Sequence, residues 1–357
     1  MRGRRVVVAA AGLAALLTLP GCGTTGGLGY YAQAVGGHLD LLQRTRPVAE
    51  WLDDPATPPA LRERLLLTQR LRDFATQELL LPDNRSYRGY ADLQRSAVVW
   101  NVVAAPELSL TLKTWCFPLM GCVGYRGYFS RAPADALAAE LQGQGWETSV
   151  YGVPAYSTLG WTNWLGGDPL LNTFVHWPEG ELARLIFHEL AHQVAYAADD
   201  TTFNESFAGA VERIGGQRWL QRHASAEARA EHAAQEARRE DFRALTARTR
   251  AQLLAVYASD AGDADKRRRK AEVLAAMRAE HAMLKATRWN GDSRYDGWIA
   301  RANNAAFGVQ AAYNELVPQF EALFERSGGD FQRFYAEVRT LAALPKDERR
   351  ARLAGPP

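Results

Sequence analysis

Residues 178–208 read PEGELARLIFHELAHQVAYAADDTTFNESFA and contain the clearest helix signals of the chain. Pro178 is typical of the first turn of a helix, and Leu182 and Ile186 recur at the four-residue spacing of a buried helix face. The acidic pair at 199–200 is expected to end this helix and turn the chain into a second one. The sequence therefore predicts two consecutive helices joined by a short turn.

Within the first helix, His188, Glu189 and His192 fit the pattern HExxH. Residues four apart lie on one face of a helix about one turn apart, so both imidazoles can reach a single metal ion. Glu189 follows the first histidine and can point at a water on that metal. The alternative is that the two histidines are only hydrogen-bonded within a helix core. We expect a zinc site with Glu189 as the catalytic base.

A third metal ligand is expected downstream, because catalytic zinc usually takes three protein ligands and a water. Glu205 lies 13 residues after His192, where the second helix could return it to the metal. The spacing of Thr202 and Glu205 also fits a capping box, in which Glu205 would serve its own helix end. Glu212 lies about 10 Å further along that helix, too far to bind the same ion directly. It is expected to orient a histidine or to pair with an arginine.

Residues 1–21 have the features of a secretory signal peptide. Three arginines precede an apolar stretch at 6–19, which is too short to span a bilayer. The end of this stretch resembles the lipobox of bacterial lipoproteins, which implies cleavage after Gly21, a lipid on Cys22 and a flexible tether over 22–29. A signal peptide with a chance cysteine is the alternative. The lipobox implies a lipid-anchored protein of the cell envelope, and the glycine after the cysteine favours the outer membrane, facing the periplasm.

Composition and patterning predict a single domain over 30–357. The chain has 357 residues, 47% of them hydrophobic, and its formal net charge of +2 gives no electrostatic case for nucleic-acid binding. The fold class is expected to be α+β and predominantly helical, with a small mixed or antiparallel sheet at about 96–175 and helices at about 178–345. The predicted strands lie at 97–103, 108–115, 125–129 and 148–151, with a helix at 133–141, and apolar stripes at 242–256 and 274–284 mark two long helices.

A resemblance to a known family is carried by four segments: Cys116-Phe117-Pro118 with Gly121-Cys122, Tyr125-Arg126-Gly127-Tyr128-Phe129, Ala155-Tyr156-Ser157-Thr158-Leu159-Gly160-Trp161, and HExxH with Asn204-Glu205-Ser206-Phe207-Ala208. The last segment resembles the gluzincin clan of zinc peptidases, in which the glutamate is the third ligand. Together the segments resemble a family of bacterial lipoproteins described as zinc aminopeptidases. The resemblance implies a zincin-like fold with the sheet packed on the HExxH helix. It also implies one Zn²⁺ per chain, held by His188, His192 and Glu205.

Two cysteines, a tyrosine, an aromatic segment and a basic run each have more than one interpretation. Cys116 and Cys122 lie six residues apart in a chain expected to be exported, which favours a disulfide, with zinc binding by the pair as the alternative. Tyr156 could donate a hydrogen bond to the oxyanion of the reaction, as a tyrosine or histidine does in many zincins. The segment 125–129 is either an ordinary aromatic strand or part of the substrate cleft. The basic run 266–270 is expected to be a solvated helix face, with contact to lipid headgroups as the alternative.

These observations predict a zinc-dependent peptidase that is anchored by lipid in the cell envelope. Within that class, the prediction is an aminopeptidase. Peptides are the expected substrates, and no nucleic-acid partner is expected. Glu189 would take a proton from the attacking water and pass it to the leaving amine. Two alternatives stay open: a non-catalytic envelope lipoprotein that binds zinc, and an endopeptidase of the same chemistry. No acidic group for a substrate amine can be assigned from the sequence.

Overall fold

Helices dominate the structure, which is a computed structural model that describes residues 27–117, 121–155, 167–198, 200–312 and 315–355. Helices make up 62% of it and the sheets have two or three strands, so the predicted, mainly helical α+β class is confirmed. The predicted signal peptide, the lipidation residue Cys22 and Tyr156 lie outside the described residues. None of the described helices is both long and apolar enough to cross a membrane.

The described helices are, in chain order, α1 (Leu28–Arg44), α2 (Val48–Asp53), α3 (Pro59–Gln77), α4 (Arg131–Gly143), α5 (Glu179–Ala191), α6 (Thr201–His223), α7 (Ala226–Ala258), α8 (Asp263–Thr287), α9 (Asp296–Arg301), α10 (Asn304–Ala312), α11 (Val317–Arg326), α12 (Phe331–Ala342) and α13 (Lys346–Ala354). The described strands are β1 (Arg46–Pro47), β2 (Gly89–Ala91), β3 (Val99–Pro106), β4 (Trp115–Phe117), β5 (Gly121–Val123), β6 (Arg126–Tyr128), β7 (Trp146–Val153) and β8 (Leu170–Leu171). The first helix begins at Leu28, so the last two residues of the predicted tether are helical.

The main sheet is antiparallel, with the strand order β6–β3–β7. Alternate residues of β3 point to opposite faces: Val102 and Ala104 pack with α4, and Val103 and Ala105 pack with α10. The two faces of the sheet are thus taken by α4 and α10. The HExxH helix α5 packs mainly on α6, α3 and α7 instead.

The strand predicted at 108–115 is wrong, because the chain turns there. Ser109 N donates to the Pro106 carbonyl, and only the last residue of the predicted strand, Trp115, lies in a strand. Leu110 packs with the apolar cluster of α7 and α8, while Leu112 packs beside β3, so the two side chains do not share one sheet face. The sheet β1–β2–β8 was not predicted, since strands of two or three residues are too short to show alternation.

The largest apolar core holds the helix pair α5 and α6. Leu182 and Ile186 are fully buried, so the predicted buried face of α5 is confirmed. On α6, Phe203 and Phe207 pack against Phe320 of α11, with ring centroids 5.0 and 5.7 Å apart. Full burial of one such side chain contributes about 1.5–3 kcal/mol, so these contacts fix α6 firmly against α11.

Two glycines of α6 let it approach α5 closely. A Cβ atom at Gly215 would lie 2.6 Å from the Leu79 side chain and 3.0 Å from that of Phe187, and one at Gly216 would lie 2.8 Å from the side chain of Arg184. Larger residues at either position would push the two helices apart. The close approach brings side chains of α6 within reach of the histidines on α5.

The helices α7 and α8 form a helical hairpin, here called the arm (residues 226–287). Its apolar cluster confirms both predicted stripes and includes Phe242, Leu245, Leu253, Leu274, Met277 and Leu284. The beginning of α7 lies against α5, because a Cβ atom at Gly180 would meet His232 of the arm at 2.6 Å.

The basic run 266–270 of the arm is paired within the protein. Lys270 is buried, forms an ion pair with Glu147 and donates to the Glu107 carbonyl at 2.8 Å. Arg267 forms an ion pair with the Glu107 side chain at 2.9 Å. The predicted solvated face is therefore wrong for Lys270, because the run fastens the arm to the end of the main sheet.

Candidate metal centre

Two histidines and one carboxylate converge between α5 and α6. His192 is the C-cap of α5 and keeps helical backbone angles, so it stays on the same face as His188. The Nε2 atoms of the two histidines are 3.2 Å apart. Glu205 of α6 places its Oε2 atom 3.3 Å from Nε2 of His188 and 3.7 Å from Nε2 of His192.

These three atoms fit the corners of a tetrahedral metal site. Zinc binds histidine nitrogen and carboxylate oxygen at about 2.0–2.2 Å, so neighbouring ligand atoms of a tetrahedral site lie about 3.4 Å apart. The observed separations of 3.2, 3.3 and 3.7 Å bracket that value. Two imidazole nitrogens and a carboxylate oxygen are also a donor set that catalytic zinc sites use. The three residues could therefore hold one zinc ion.

The alternative role of Glu205 as a capping residue is wrong. The N-cap of α6 is Asp200, whose Oδ1 atom accepts a hydrogen bond from Phe203 N at 3.1 Å. Thr202 already lies inside the first turn of the helix. Asp200 was expected to end the first helix, but that helix ends at Ala191, and Asp200 caps the second helix instead. Its buried carboxylate also binds two arginines of α13. Asp199 lies outside the described residues.

Glu212 does both things that were predicted for it. Its Oε2 atom lies 3.0 Å from Nδ1 of His188, and its Oε1 atom accepts a hydrogen bond from Nη2 of Arg184 at 2.6 Å. When Nδ1–H of His188 donates to Glu212, the lone pair of Nε2 is directed toward His192 and Glu205. This contact selects the tautomer of His188 that a metal requires.

The charges of the site favour one cation between His188 and Glu205. Burial would lower the pKa of His188, but hydrogen bonds to Glu205 and Glu212 outweigh it and raise that pKa well above its usual value. Burial lowers the pKa of His192 to about 4. Burial would raise the pKa of Glu205, but the two histidines outweigh it and lower that pKa. A metal cation would take the place of a proton on Nε2 of His188, which lies 3.3 Å from Oε2 of Glu205.

Glu189 has the acid–base properties of a base that works near neutral pH. Burial raises the pKa of its carboxyl group to about 7; His188 opposes the rise, and the carboxylates of Glu205 and Asp168 add to it. A group with a pKa near 7 can take a proton from water and give it up again at the same pH. The environment of Glu189 is thus suited to the catalytic role predicted for it.

Three tyrosines lie within electrostatic reach of Glu205. Tyr125 directly precedes β6, Tyr151 lies in β7 and Tyr196 follows α5; burial raises the pKa of each phenol, and the Glu205 carboxylate adds to the rise. The phenols therefore stay protonated and can donate hydrogen bonds. Tyr125 belongs to the segment expected to line the cleft. Tyr151 and Tyr196 were missed, although Tyr196 follows His192 by four residues, the spacing of one helix face.

Two loops from distant parts of the chain place further polar groups near Glu189. Tyr87 has a φ of 64°, and its buried hydroxyl has no hydrogen-bond partner in the structure as described. Tyr87 N donates to the carbonyl of Asp168 at 2.6 Å, and Asn84 donates to Gln193 beside the histidines at 2.7 Å. Burial raises the pKa of Tyr87, and the Glu189 carboxylate adds to the rise. The Asp168 carboxylate likewise adds to the rise that burial causes in the pKa of Glu189. The sequence carried no local signal for this placement.

Cys116 and Cys122 face each other across the β4–β5 hairpin. They are register partners, and their sulfur atoms are 1.93 Å apart, which is bonding distance. Gly121 of the same hairpin has a φ of 71°, and a Cβ atom there would lie 2.9 Å from the carbonyl oxygen of Ala198. The hairpin therefore rests against the turn that joins α5 to α6.

The fold and the site together define a mainly helical α+β protein with a candidate metal centre built on two consecutive helices. The chain belongs to the family described as "Putative aminopeptidase", whose model matches residues 29–353. The match includes every candidate metal ligand and supports a peptidase-like function. No curated protein and no solved structure matches the chain.

Proposed function

We propose that this protein is a zinc-dependent peptidase of zincin-like, gluzincin type and, within that class, an aminopeptidase. The observation that carries the proposal is the spacing of His188 Nε2, His192 Nε2 and Glu205 Oε2 at 3.2, 3.3 and 3.7 Å. Family membership supports hydrolysis of peptide bonds. The position of Glu189 beside the first histidine supports a reaction assisted by a carboxylate base.

In this proposal His188, His192 and Glu205 would hold the zinc ion and leave it a net charge of about +1. The chemistry that zinc supplies when bound is polarisation of the scissile carbonyl and a lower pKa for the attacking water. Glu189 takes the proton of that water on its carboxylate and passes it to the leaving amine. Glu212 holds His188 in the tautomer whose Nε2 lone pair faces the ion.

Substrate contacts are proposed on the side of the three tyrosines. β6 and β7 are the edge strands of the main sheet, and an extended peptide can pair with an edge strand. Tyr125 and Tyr151 lie at these two strands and could donate a hydrogen bond to the oxygen on which charge develops. Tyr156, predicted for the same role, stays a prediction and competes with them.

A lipid anchor on Cys22 would place the protein in the cell envelope, at the outer membrane and facing the periplasm. The first described helix begins six residues later, at Leu28, so the anchor would keep the domain close to the membrane surface. Cys22→Ser is expected to move the protein from the membrane fraction to the soluble fraction or to block its processing. Unchanged fractionation and processing would mean that Cys22 is not the anchor.

The test of the activity combines metal content with turnover. Wild-type protein is expected to hold about one zinc per chain and to cleave peptides with a free N-terminus. Glu189→Gln should keep the zinc and lose about 10²–10⁴-fold in turnover, the usual contribution of a general base. Glu337→Gln, which removes an exposed carboxylate of α12, is the matched control and should behave as wild type.

The outcomes separate the two alternatives. Equal cleavage of peptides with free and blocked N-termini would favour an endopeptidase. A zinc-loaded wild-type protein that cleaves neither kind would favour a non-catalytic zinc-binding lipoprotein. A protein that binds no zinc from zinc-containing buffer would refute the proposal.

A further inference from the structure

The metal centre is continuous with a buried chain of charged groups that leads to the arm. Arg184 of α5 is only 5% exposed and lies between two carboxylates. Its Nη2 atom donates to Oε1 of Glu212 at 2.6 Å, and its Nη1 atom donates to Oε2 of Glu236 at 2.5 Å. Glu236 belongs to α7, the first helix of the arm. Three consecutive contacts therefore link the arm to Nδ1 of His188.

The far end of this chain is itself held in place. Glu236 also accepts hydrogen bonds from Arg239 at 2.7 Å and from Arg243 at 3.0 Å. Arg239 in turn forms an ion pair with Glu181 at the beginning of α5. The carboxylate of Glu236 is thus fixed between three guanidinium groups, and α7 is fastened to α5.

The backbone is shaped to admit the Arg184 side chain. Arg184 precedes His188 by four residues, and His188 precedes His192 by four, so the three side chains follow one face of α5. Gly216 of α6 lies opposite Arg184, where a Cβ atom would come within 2.8 Å of its Cγ atom. The glycine therefore leaves room for a long side chain that points along the histidine face.

We infer that Arg184 and Glu236 are positioning residues of the metal centre, which hold Glu212 against His188 and make the arm part of the support of the site. The inference rests on the proposed zinc site, because it concerns how one of the zinc ligands is oriented. Glu212 has one oxygen for His188 and one for Arg184, so loss of Arg184 releases one end of the carboxylate. Without Glu236, the guanidinium loses the partner that keeps it pointed at Glu212.

Arginine is the residue that this geometry requires. A guanidinium presents several donors in a rigid plane and can bind two carboxylates at once, whereas an ammonium is a flexible point charge. Arg184→Lys should therefore keep the charge but lose the fixed direction. The zinc affinity of Arg184→Lys is therefore expected to lie between that of wild type and that of Arg184→Met.

The test measures zinc affinity by competition with a chelator and the visible absorption of the cobalt-substituted protein, which reports ligand geometry. Replacing an outer partner of a ligating histidine typically costs about 10–100-fold in metal affinity. The loss of zinc affinity in Arg184→Met is expected within that range. The losses in Arg184→Lys and Glu236→Gln are expected at its lower end, and all three variants should show an altered cobalt spectrum. Arg248→Gln, which breaks an ion pair inside the arm with Glu280, is the matched control and should leave both readouts unchanged.

Wild-type affinity and an unchanged cobalt spectrum in both Arg184→Met and Glu236→Gln would overturn the inference while leaving the zinc site intact. A wild-type protein that binds neither zinc nor cobalt would overturn the proposed function and this inference together. If Arg184→Met does not fold, Glu236→Gln decides, because the Glu236 side chain is 25% exposed and tolerates an isosteric change better.

Discussion

Replacing Asp200 should separate two contributions to the support of the metal site: the cap of α6 and the ion pairs between α6 and α13. Asp200 is 2% exposed and caps α6 through a hydrogen bond from Phe203 N to Oδ1 at 3.1 Å. Its Oδ2 atom accepts from Arg349 at 3.1 Å and from Arg350 at 2.9 Å, both on α13. One carboxylate therefore ties the start of the Glu205 helix to the last helix of the chain.

The magnitude follows from two separable contributions. Replacing an aspartate cap by alanine costs about 0.5–2 kcal/mol. Removing one partner of a buried ion pair costs about 3–5 kcal/mol, and Arg349 is itself only 2% exposed. Arg349 also donates to the carbonyls of Leu341 and Leu344, so the lower end of that range applies. With about 0.5–2 kcal/mol for the cap and about 3 kcal/mol for the ion pair, we expect Asp200→Ala to lose about 3.5–5 kcal/mol of unfolding free energy in total.

The assay is urea unfolding followed by circular dichroism, with Asp200→Asn as the matched variant. Asparagine caps a helix as well as aspartate does, so the difference between the two variants measures the cap alone, at about 0.5–2 kcal/mol. A loss of less than about 1 kcal/mol of unfolding free energy in Asp200→Ala would refute this account of how Asp200 stabilises the protein. Zinc affinity should also fall in Asp200→Ala, since Glu205 lies only five residues after Asp200, near the start of α6.

The pH dependence gives a second check on the same residue. Burial would raise the pKa of Asp200, but the hydrogen bonds from Arg350, Phe203 N and Arg349 outweigh it and lower the pKa. A carboxyl group whose pKa is lower in the folded state contributes its full stability above its unfolded pKa of about 4 and loses it as the pH falls through the folded value. The advantage of wild type over Asp200→Asn should therefore be complete at pH 7 and shrink below about pH 4. An advantage that stays constant into acid would contradict the ion pairing.

Three further predictions concern the metal site and its surroundings. Glu205→Gln should lower zinc affinity by more than the 10–100-fold expected of Glu212→Gln, because the first variant loses a ligand and the second loses only the orientation of one. Chelator competition measures both affinities, and equal losses would argue against Glu205 as a ligand. Gly167→Ala should cost more than about 1 kcal/mol in urea unfolding, because φ is 74° and the new Cβ atom would lie 2.5 Å from a backbone nitrogen; unchanged stability would show that the loop can move. Replacing both Cys116 and Cys122 by serine should cost about 2 kcal/mol, the loop-closure entropy of so short a loop, and an unchanged unfolding midpoint would mean that the bond contributes nothing.

Elements whose signals lie within one short segment could be predicted from the sequence. The four-residue spacing of His188 and His192 requires one helix face whatever surrounds it, and the stripes of α7 and α8 follow from the same periodicity. The class of fold followed from these patterns too. The short strands β1, β2 and β8 could not be predicted, because they have too few residues to show a period. The prediction of a strand at 108–115 was wrong, because a turn interrupts its apolar residues.

The packing of helices and loops distinguishes between the roles that the sequence left open. Glu205 could have been a cap or a ligand; it faces the histidines across the contact of α5 with α6, and Asp200, held by α13, caps α6. The role of Arg184 depends on how closely α6 approaches α5, which glycines on α6 allow. Tyr87 and Asp168 meet near Glu189 from loops about 80 residues apart, a distance over which no periodic pattern carries information. Spacing along one helix determines which side chains share a face, but the packing of helices and loops determines what those side chains meet.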